Sequence, residues 1–428
     1  MTSTPNEAVT LDGDGGARLY EQADELRAAG PAVRVRMPED VVAWSVTRGD
    51  IAKQLLVHPH VSKDARKSWP GHRPGAIPWL YPWVDVISMF TSDGDDHTRL
   101  RQLTGRAFTA RRIEAMRPAV EGIVTGLLDA LEERDADERV DLRAEFAHGV
   151  PSRVICDLFG VPADQRPEML RVIGAVFATD VTPEQSEAVG KDLYRVMQTL
   201  IETKRRTPAD DMTSLLLTAH EEDGDRLSET ELISTLIAVI GGGSETTVAL
   251  IDAAVRELLT HPDQLAAVLA EPARWTDVID ETLRLHPPIM HLPLRFATED
   301  IDLGEGVTVQ AGDAILIGFG APGRDPDVHD DPAAFHIDRA DKQHLAFGHG
   351  IHYCLGAPLA RLEAEVALPA LFDRFPRLTL SIAPAELEPQ HSFMGNDVVE
   401  LPVVLGAAHR PDGAGTSVAA RRLNEGGR

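Results

Sequence analysis

Cys354 lies in the stretch from Phe347 to Glu363, FGHGIHYCLGAPLARLE, between a glycine-rich loop and a segment of helical pattern. Gly348, Gly350 and Gly356 permit positive φ angles and the close approach of backbone to a bulky flat ligand. Beyond the cysteine, Pro358 falls at an early helical position, and Leu359, Leu362 and Val366 recur at helical spacing. The spacing predicts a helix whose N-terminal dipole and unpaired N–H groups favour S⁻ over SH. A thiolate held there suits a metal ion. The alternative is an inert cysteine packed as a small hydrophobe. Zinc would want further cysteines, or a better spaced pair of histidines than His349 and His352. A dinucleotide loop would want glycine where Tyr353 stands.

A second stretch with chemical content is ELISTLIAVIGGGSETTVALIDAAVRELL, from Glu231 to about Leu259. It is apolar nearly all round up to Ile240, which predicts a helix buried through the middle of the protein. Gly241, Gly242 and Gly243 each cost about 1 kcal/mol relative to Ala. Three in succession imply either a kink that admits a neighbouring helix or a space needed for something else. Glu245 and Thr246 follow at once, and a hydroxyl beside a carboxylate and a water-holding groove is what a proton relay requires.

Two further pairs sit on predicted helices. His97 and Arg101 stand at i, i+4 on one face after the capping residues of TSDGDD, a spacing that by itself reads as a solvated face. Glu281 and Arg284 stand at i, i+3 on a helix over 274–286.

These groups need a scaffold, and the pattern points to a mainly α fold with a small β-sheet region. A helical run from Ala17 to Ala29 leads into VRVRM and VVAWSVT, which predict a hairpin. Residues from about 113 to 270 read mostly as helices. Between Ser68 and Phe90, four prolines and Trp69, Trp79, Tyr81 and Trp83 predict a long loop, packed on the core or exposed to a greasy ligand. Another loop, 176–185, separates two helices over a pocket. Pro369 is expected to end or kink the helix that follows Cys354. Residues 1–14 and 408–428 read as frayed ends around one domain over 15–407.

The formal charge of −26 over 428 residues excludes a nucleic-acid binder and an anionic membrane surface as partners. The two cysteines, Cys156 and Cys354, lie far apart and predict a reducing, cytoplasmic setting. The longest apolar runs, about a dozen residues, fall short of a membrane span. The N-terminus lacks the basic and apolar regions of a signal peptide. No membrane anchor is expected, and a monomer is.

The Phe347, Gly350, Cys354 and Gly356 pattern, F-x-x-G-x-x-x-C-x-G, closely resembles the haem-ligand loop of the cytochrome P-450 family, soluble bacterial type. The resemblance runs from about residue 15 to about 405. It implies haem b held through Cys354 as axial iron ligand, with Phe347, Gly348, Gly356 and Gly242 against the ring. It implies His97, Arg101, Arg295 and His352 on the propionates, and Glu245 and Thr246 as the acid and alcohol that deliver protons to dioxygen. Glu281 and Arg284, with Arg339 as third partner, resemble the family's structural ion-pair set. Trp83, Met89, Phe90, Val239, Gly242, Ile289, Met290, Leu292, Phe393 and Met394 are the substrate-pocket candidates. For Phe393 and Met394 plain core packing is an equal alternative.

The implied reaction is insertion of one oxygen of O2 into a hydrophobic small molecule such as a steroid, macrolide or cyclic dipeptide, in secondary metabolism. Electrons would come ultimately from NAD(P)H through a ferredoxin or flavodoxin and its reductase. Arg106, Arg111, Arg112, Arg361 and His349 form a candidate docking patch. Oxidative C–C coupling on the same haem, and a non-enzymatic haem sensor, are the alternatives. One departure stands out: Gly323 occupies the place where many relatives carry asparagine, which makes the backbone there more permissive.

Overall fold

The two β-branched runs pair as expected, Val33 opposite Ser45 and Arg36 opposite Val42, in an antiparallel hairpin of β2 (Val33–Arg36) and β3 (Val42–Val46). The structure, a computed structural model, describes residues 8–11, 13–106, 108–177, 182–222 and 227–409. Six strands form the largest sheet, in the order β1 (Val9–Thr10), β2, β3, β9 (Ala314–Gly318), β6 (His291–Ala297), β4 (Val61–Ser62). A second sheet joins β10 (Thr379–Leu380), β11 (Pro402–Val404) and β5 (Arg139–Asp141), and β7 (Ile301–Asp302) pairs with β8 (Thr308–Val309).

The N-terminal boundary differs from expectation. Residues 1–7 of the predicted frayed end, and 410–428 of the tail, lie outside the described residues, but Val9–Thr10 pairs parallel with Val35–Arg36. Leu11 N donates to Arg36 O at 2.9 Å and the Leu11 side chain is buried, so one hydrophobe anchors a polar segment. Of the 176–185 loop, residues 178–181 also lie outside the described residues.

Helices make up most of the remainder, and six position the groups singled out above: α1 (Gly94–Gly105), α2 (Gly149–Leu158), α3 (Glu229–Gly242), α4 (Glu245–Thr260), α5 (Trp275–Leu285) and α6 (Ala357–Arg374). A capping box starts α3: Ser228 Oγ accepts from Glu231 N, and Glu231 Oε2 accepts from Ser228 N. The long apolar helix is broken in two at Gly243 and Ser244, the latter at φ −107°, ψ −77°. Taken together, Glu229–Thr260 is long and apolar enough to cross a membrane by composition, contrary to the reading from run length. Two thirds of its most apolar 18-residue window is buried inside the fold instead.

Glu281 and Arg284 of α5 are fully buried and paired bidentately at 2.7 and 2.8 Å, and Arg339 Nε joins Glu281 at 3.1 Å. The two arginines also donate to backbone carbonyls, among them Pro332 O and Ala334 O. Removing one partner of such a set leaves an uncompensated buried charge. This explains Gly323. Arg284 donates to its carbonyl, and a Cβ there would lie 2.1 Å from Arg284 O, so the position excludes any side chain rather than merely permitting freedom.

Pro369 neither ends nor breaks α6, which runs on to Arg374. The proline sits on a half-exposed face where water can serve the Glu365 carbonyl, while Leu368, Leu371 and Phe372 stay buried on the other side.

Candidate active site

A cavity of about 280 Å³ lies between α3, α4 and the loop before α6, with Cys354 in its wall. The loop is set by two glycines with positive φ, Gly348 and Gly350, both at 75°. At Gly350 a Cβ would also lie 3.0 Å from Leu56 O. Gly356, which was free to take positive φ, takes −81°. It lies in the cavity wall, where a side chain would start 3.9 Å from Cys354 Sγ. Cys354 N donates to Phe347 O at 2.8 Å, and Arg101 Nη2 donates to Tyr353 O at 2.7 Å.

The sulfur opens onto the cavity yet sits deep inside the protein. Burial pushes the thiol up, while the amides of Gly356 and Ala357 at the start of α6, and Arg101, pull it down. The helix terminus thus acts as predicted but does not win alone; a coordinating metal deprotonates a thiol outright.

Along the cavity floor lies a cluster with more cationic donors than anions. Arg295 is 7% exposed, and its guanidinium makes no hydrogen bond or ion pair among the described residues. Burial pushes its guanidinium down to about 10, with only Asp93 acting against this. His97 and His352 pack ring on ring at 4.4 Å, and Nε2 of each is buried without a hydrogen-bond partner. His352 Nε2 is 3.8 Å from Asp93, a charge contact rather than a hydrogen bond, and burial drives its imidazole down to about 4. A buried guanidinium and two unpartnered imidazoles beside a cavity call for a bound anion.

Sequence reasoning missed two members of this cluster. Lys63, 3% exposed, donates to Pro293 O and Leu294 O at 3.2 Å and lies 3.8 Å from the Phe90 ring centre. Those carbonyls come from an irregularity in β6, where the register shifts between Leu292 and Arg295; Pro293, which cannot donate to a ladder, sits inside it. Asp93 accepts from Ser62 Oγ and from the amides of Lys63 and Asp64. Its place before α1 is the one signal that could have found it. Nothing in VSKDAR marks Lys63.

Opposite the sulfur, Gly241 and Gly242 have nothing within 4 Å of where a Cβ would be, so they leave room against the cavity. Gly243 is different: a Cβ there would lie 2.7 Å from Ile155 Cδ1 of α2. Both readings of the triple glycine therefore hold, at different residues. Thr246 lines the cavity and its Oγ1 donates to Gly242 O at 2.8 Å across the break. Glu245 does not line it. Its carboxylate points behind α4, 3.0 Å from Arg143 Nη2.

Trp83, Met89, Phe90, Val239, Ile289 and Leu292 line the cavity as expected, as do Phe347, Gly348, Arg101, Arg295 and His352. His97 stands behind His352 rather than at the wall. Three pocket expectations fail. Phe393 and Met394 are buried in a separate core under the sheet, Phe393 edge-on to Trp79 at 5.8 Å, because the turn after Ser392 packs towards the 68–90 loop. Met290 is buried against Gly320, where a Cβ would lie 2.2 Å from its sulfur. Just ahead of β6, Ile289 forms an isolated bridge with Gly395 and lines the cavity, whereas Met290, whose N donates to Met394 O at 2.8 Å, turns to the core.

Open room at Gly242, a sulfur at a helix start in the same cavity and a cationic floor fit an anionic metal complex held through that sulfur. Comparison with known proteins agrees. Residues 19–394 match the family Cytochrome P450. The chain is 43% identical over 394 residues to 2-hydroxy-5-methyl-1-naphthoate 7-hydroxylase of Streptomyces carzinostaticus, covering 91% of this chain and 96% of that protein. It is 39% identical over 396 residues to 6-deoxyerythronolide B hydroxylase of Saccharopolyspora erythraea, covering 90% and 96%. The structure of CYP154A1 from Streptomyces coelicolor A3(2) superposes with a TM-score of 0.89 at 48% identity, covering 93% of this chain and all of that one. This chain belongs to the cytochrome P450 family, and it is a haem-dependent, dioxygen-using monooxygenase.

Proposed function

We propose that the protein hydroxylates a rigid, hydrophobic ring system of the polyketide, macrolide or steroid kind. The observation that carries this is the one cavity that joins the Cys354 sulfur, the Gly241–Gly242 recess and a wall of Trp83, Met89, Phe90, Val239, Ile289 and Leu292. Relatives named as naphthoate and erythronolide hydroxylases support a fused-ring or macrocyclic substrate.

Haem b, held through Cys354, would supply the centre at which O2, two electrons and two protons turn R–H into R–OH and water. The chain's own residues bind, orient and protonate. Arg295, His352 and Arg101 would hold the two propionates, with His97 supporting His352 from behind, and Lys63, whose charged form burial disfavours, would stand beside them. Apolar walls exclude bulk water and turn one face of the substrate to the centre. Thr246 Oγ and Glu245 would move protons towards the cavity. A ferredoxin or flavodoxin, with its reductase, would deliver NAD(P)H electrons to the cytoplasmic enzyme. Of the docking-patch candidates, Arg361 is engaged by Asp280 at 2.6 Å, which leaves Arg106, Arg111, Arg112 and His349, all exposed, to carry such a contact.

Turnover of polyketide aglycones and steroids under labelled dioxygen tests the reading. One labelled oxygen per product supports it. A coupled product without label would replace hydroxylation by oxidative coupling.

A further inference from the structure

A π-turn at Arg143–Ala147 brings together two side chains that an α-helix would separate. Residues five apart stand about 140° apart round an α-helix. Here His148 N donates to Arg143 O at 2.8 Å and closes a five-residue turn. Both side chains then meet Glu245. Arg143 Nη2 reaches Oε2 at 3.0 Å, and His148 Nε2 lies 3.6 Å from the other oxygen, Oε1.

Exposure grades along this row. The His148 side chain is 32% exposed, against 18% for Glu245 and 13% for Arg143. Thr246, next to Glu245, faces the cavity. The order from solvent inwards is therefore His148, Glu245, Thr246, cavity. Ser152 Oγ lies 3.4 Å from both ring nitrogens of His148 and 3.0 Å from Ser244 Oγ, which steadies the imidazole beside the helix break.

We propose that His148 is the port through which protons from solvent reach Glu245. The imidazolium N–H at Nε2 gives its proton to Glu245 Oε1, leaving a neutral imidazole and a neutral acid. The acid passes that proton on past Thr246 to the cavity, and the imidazole regains one from solvent. No electrons move. A side-chain rotation closes the 3.6 Å gap to hydrogen-bond length.

Arg143 is a positioning residue here: by holding Oε2 it leaves Oε1 as the proton acceptor. Its far side faces Asp397 at 3.1 Å and Asp252 at 3.5 Å, and Asp141 accepts from its amide. The residue that approaches Glu245 Oε1 from the helix over 166–174 is Gly174, which brings no charge. Burial holds His148 below its ordinary value, with Glu245 raising it and Arg143 lowering it, so the ring gives up its proton readily.

The proposal rests on Glu245 as the site's proton donor, and the test separates the two. In the reconstituted enzyme, His148→Gln should lower product formation roughly tenfold, at the low end of general acid–base effects. It should also raise the solvent isotope effect and abolish the fall in rate as pH rises through the imidazole's titration. In the ferrous carbon-monoxide form, NMR titration of His148 should shift lower in Glu245→Gln, because the carboxylate that raises it is gone. A His148→Gln enzyme with the wild-type pH profile and isotope effect, alongside a crippled Glu245→Gln, overturns the port alone. A Glu245→Gln enzyme that keeps wild-type coupling overturns the donor assignment, and the port with it.

Discussion

Two polar clusters flank the cavity with opposite imbalances of charge. On the floor, Arg295, Lys63, His97 and His352 gather round a single carboxylate, Asp93. Behind α4, Glu245, Asp252 and Asp397 gather round the Arg143 guanidinium, with Arg256 also acting on Asp252 and His148 at the edge. Both are buried, so neither excess can be left to water. On the floor burial works against the charged forms of Lys63, His97 and His352, so the Arg295 guanidinium, still protonated at neutral pH, is the charge that an anion from outside the chain would balance. The other cluster can balance itself by keeping protons, and burial pushes Asp397 up to about 6 and Asp252 well above its ordinary value. One imbalance makes a binding site, the other a store of protons.

Removing the cation that all three carboxylates of the second cluster share should have the largest effect. Arg143→Leu strands up to three carboxylates and should cost about 3–5 kcal/mol of stability, read from denaturant unfolding. A loss below about 1 kcal/mol would show that the carboxylates are already neutral and break the comparison. Arg295→Leu should do the reverse to the protein without haem, which sheds an unpaired buried charge and melts no lower. The same change should weaken haem retention roughly ten- to hundredfold, the worth of charge-assisted hydrogen bonds of about 1.5–3 kcal/mol. Equal loss in both forms would mean that Arg295 is structural.

The smallest effects are pH signatures of opposite sign. Burial works against the Asp93 charge, but His352, Ser62 and two amides hold the carboxyl well below its ordinary value. Its contribution is therefore present above about pH 4 and lost as pH falls through the folded value. Asp93→Asn should melt below wild type at neutral pH and converge with it in acid. Asp397 is raised, so its contribution is complete below about pH 4 and lost as pH rises through about 6. Asp397→Asn should flatten the decline in melting temperature across that interval. Matching curves for the two variants would erase the distinction between the clusters.

The same contrast shows what the sequence made legible. Cys354, the triple glycine and the Glu281–Arg284 pair are local patterns in which spacing along the chain is spacing in space, and each was readable. Arg143 and His148 were not, because a π-turn set their relation to Glu245, and that residue lies about a hundred positions away. Lys63 was hidden for a similar reason: its partners are carbonyls freed by an irregularity in β6. Met290, Phe393 and Met394 are apolar residues whose type suits a pocket and a core equally, and packing alone decides between them. The mainly helical fold was legible from periodicity, whereas Val9–Thr10 was missed because two residues of an edge strand have no period to detect.

The central claim is a Cys354 thiolate bonded to haem iron. The reduced, carbon-monoxide-treated protein tests it most directly. The wild type should show the long-wavelength Soret band of thiolate ligation, and Cys354→Ser should lose it. A wild-type band at the position of imidazole-ligated haem, or an unchanged spectrum in Cys354→Ser, would contradict the account.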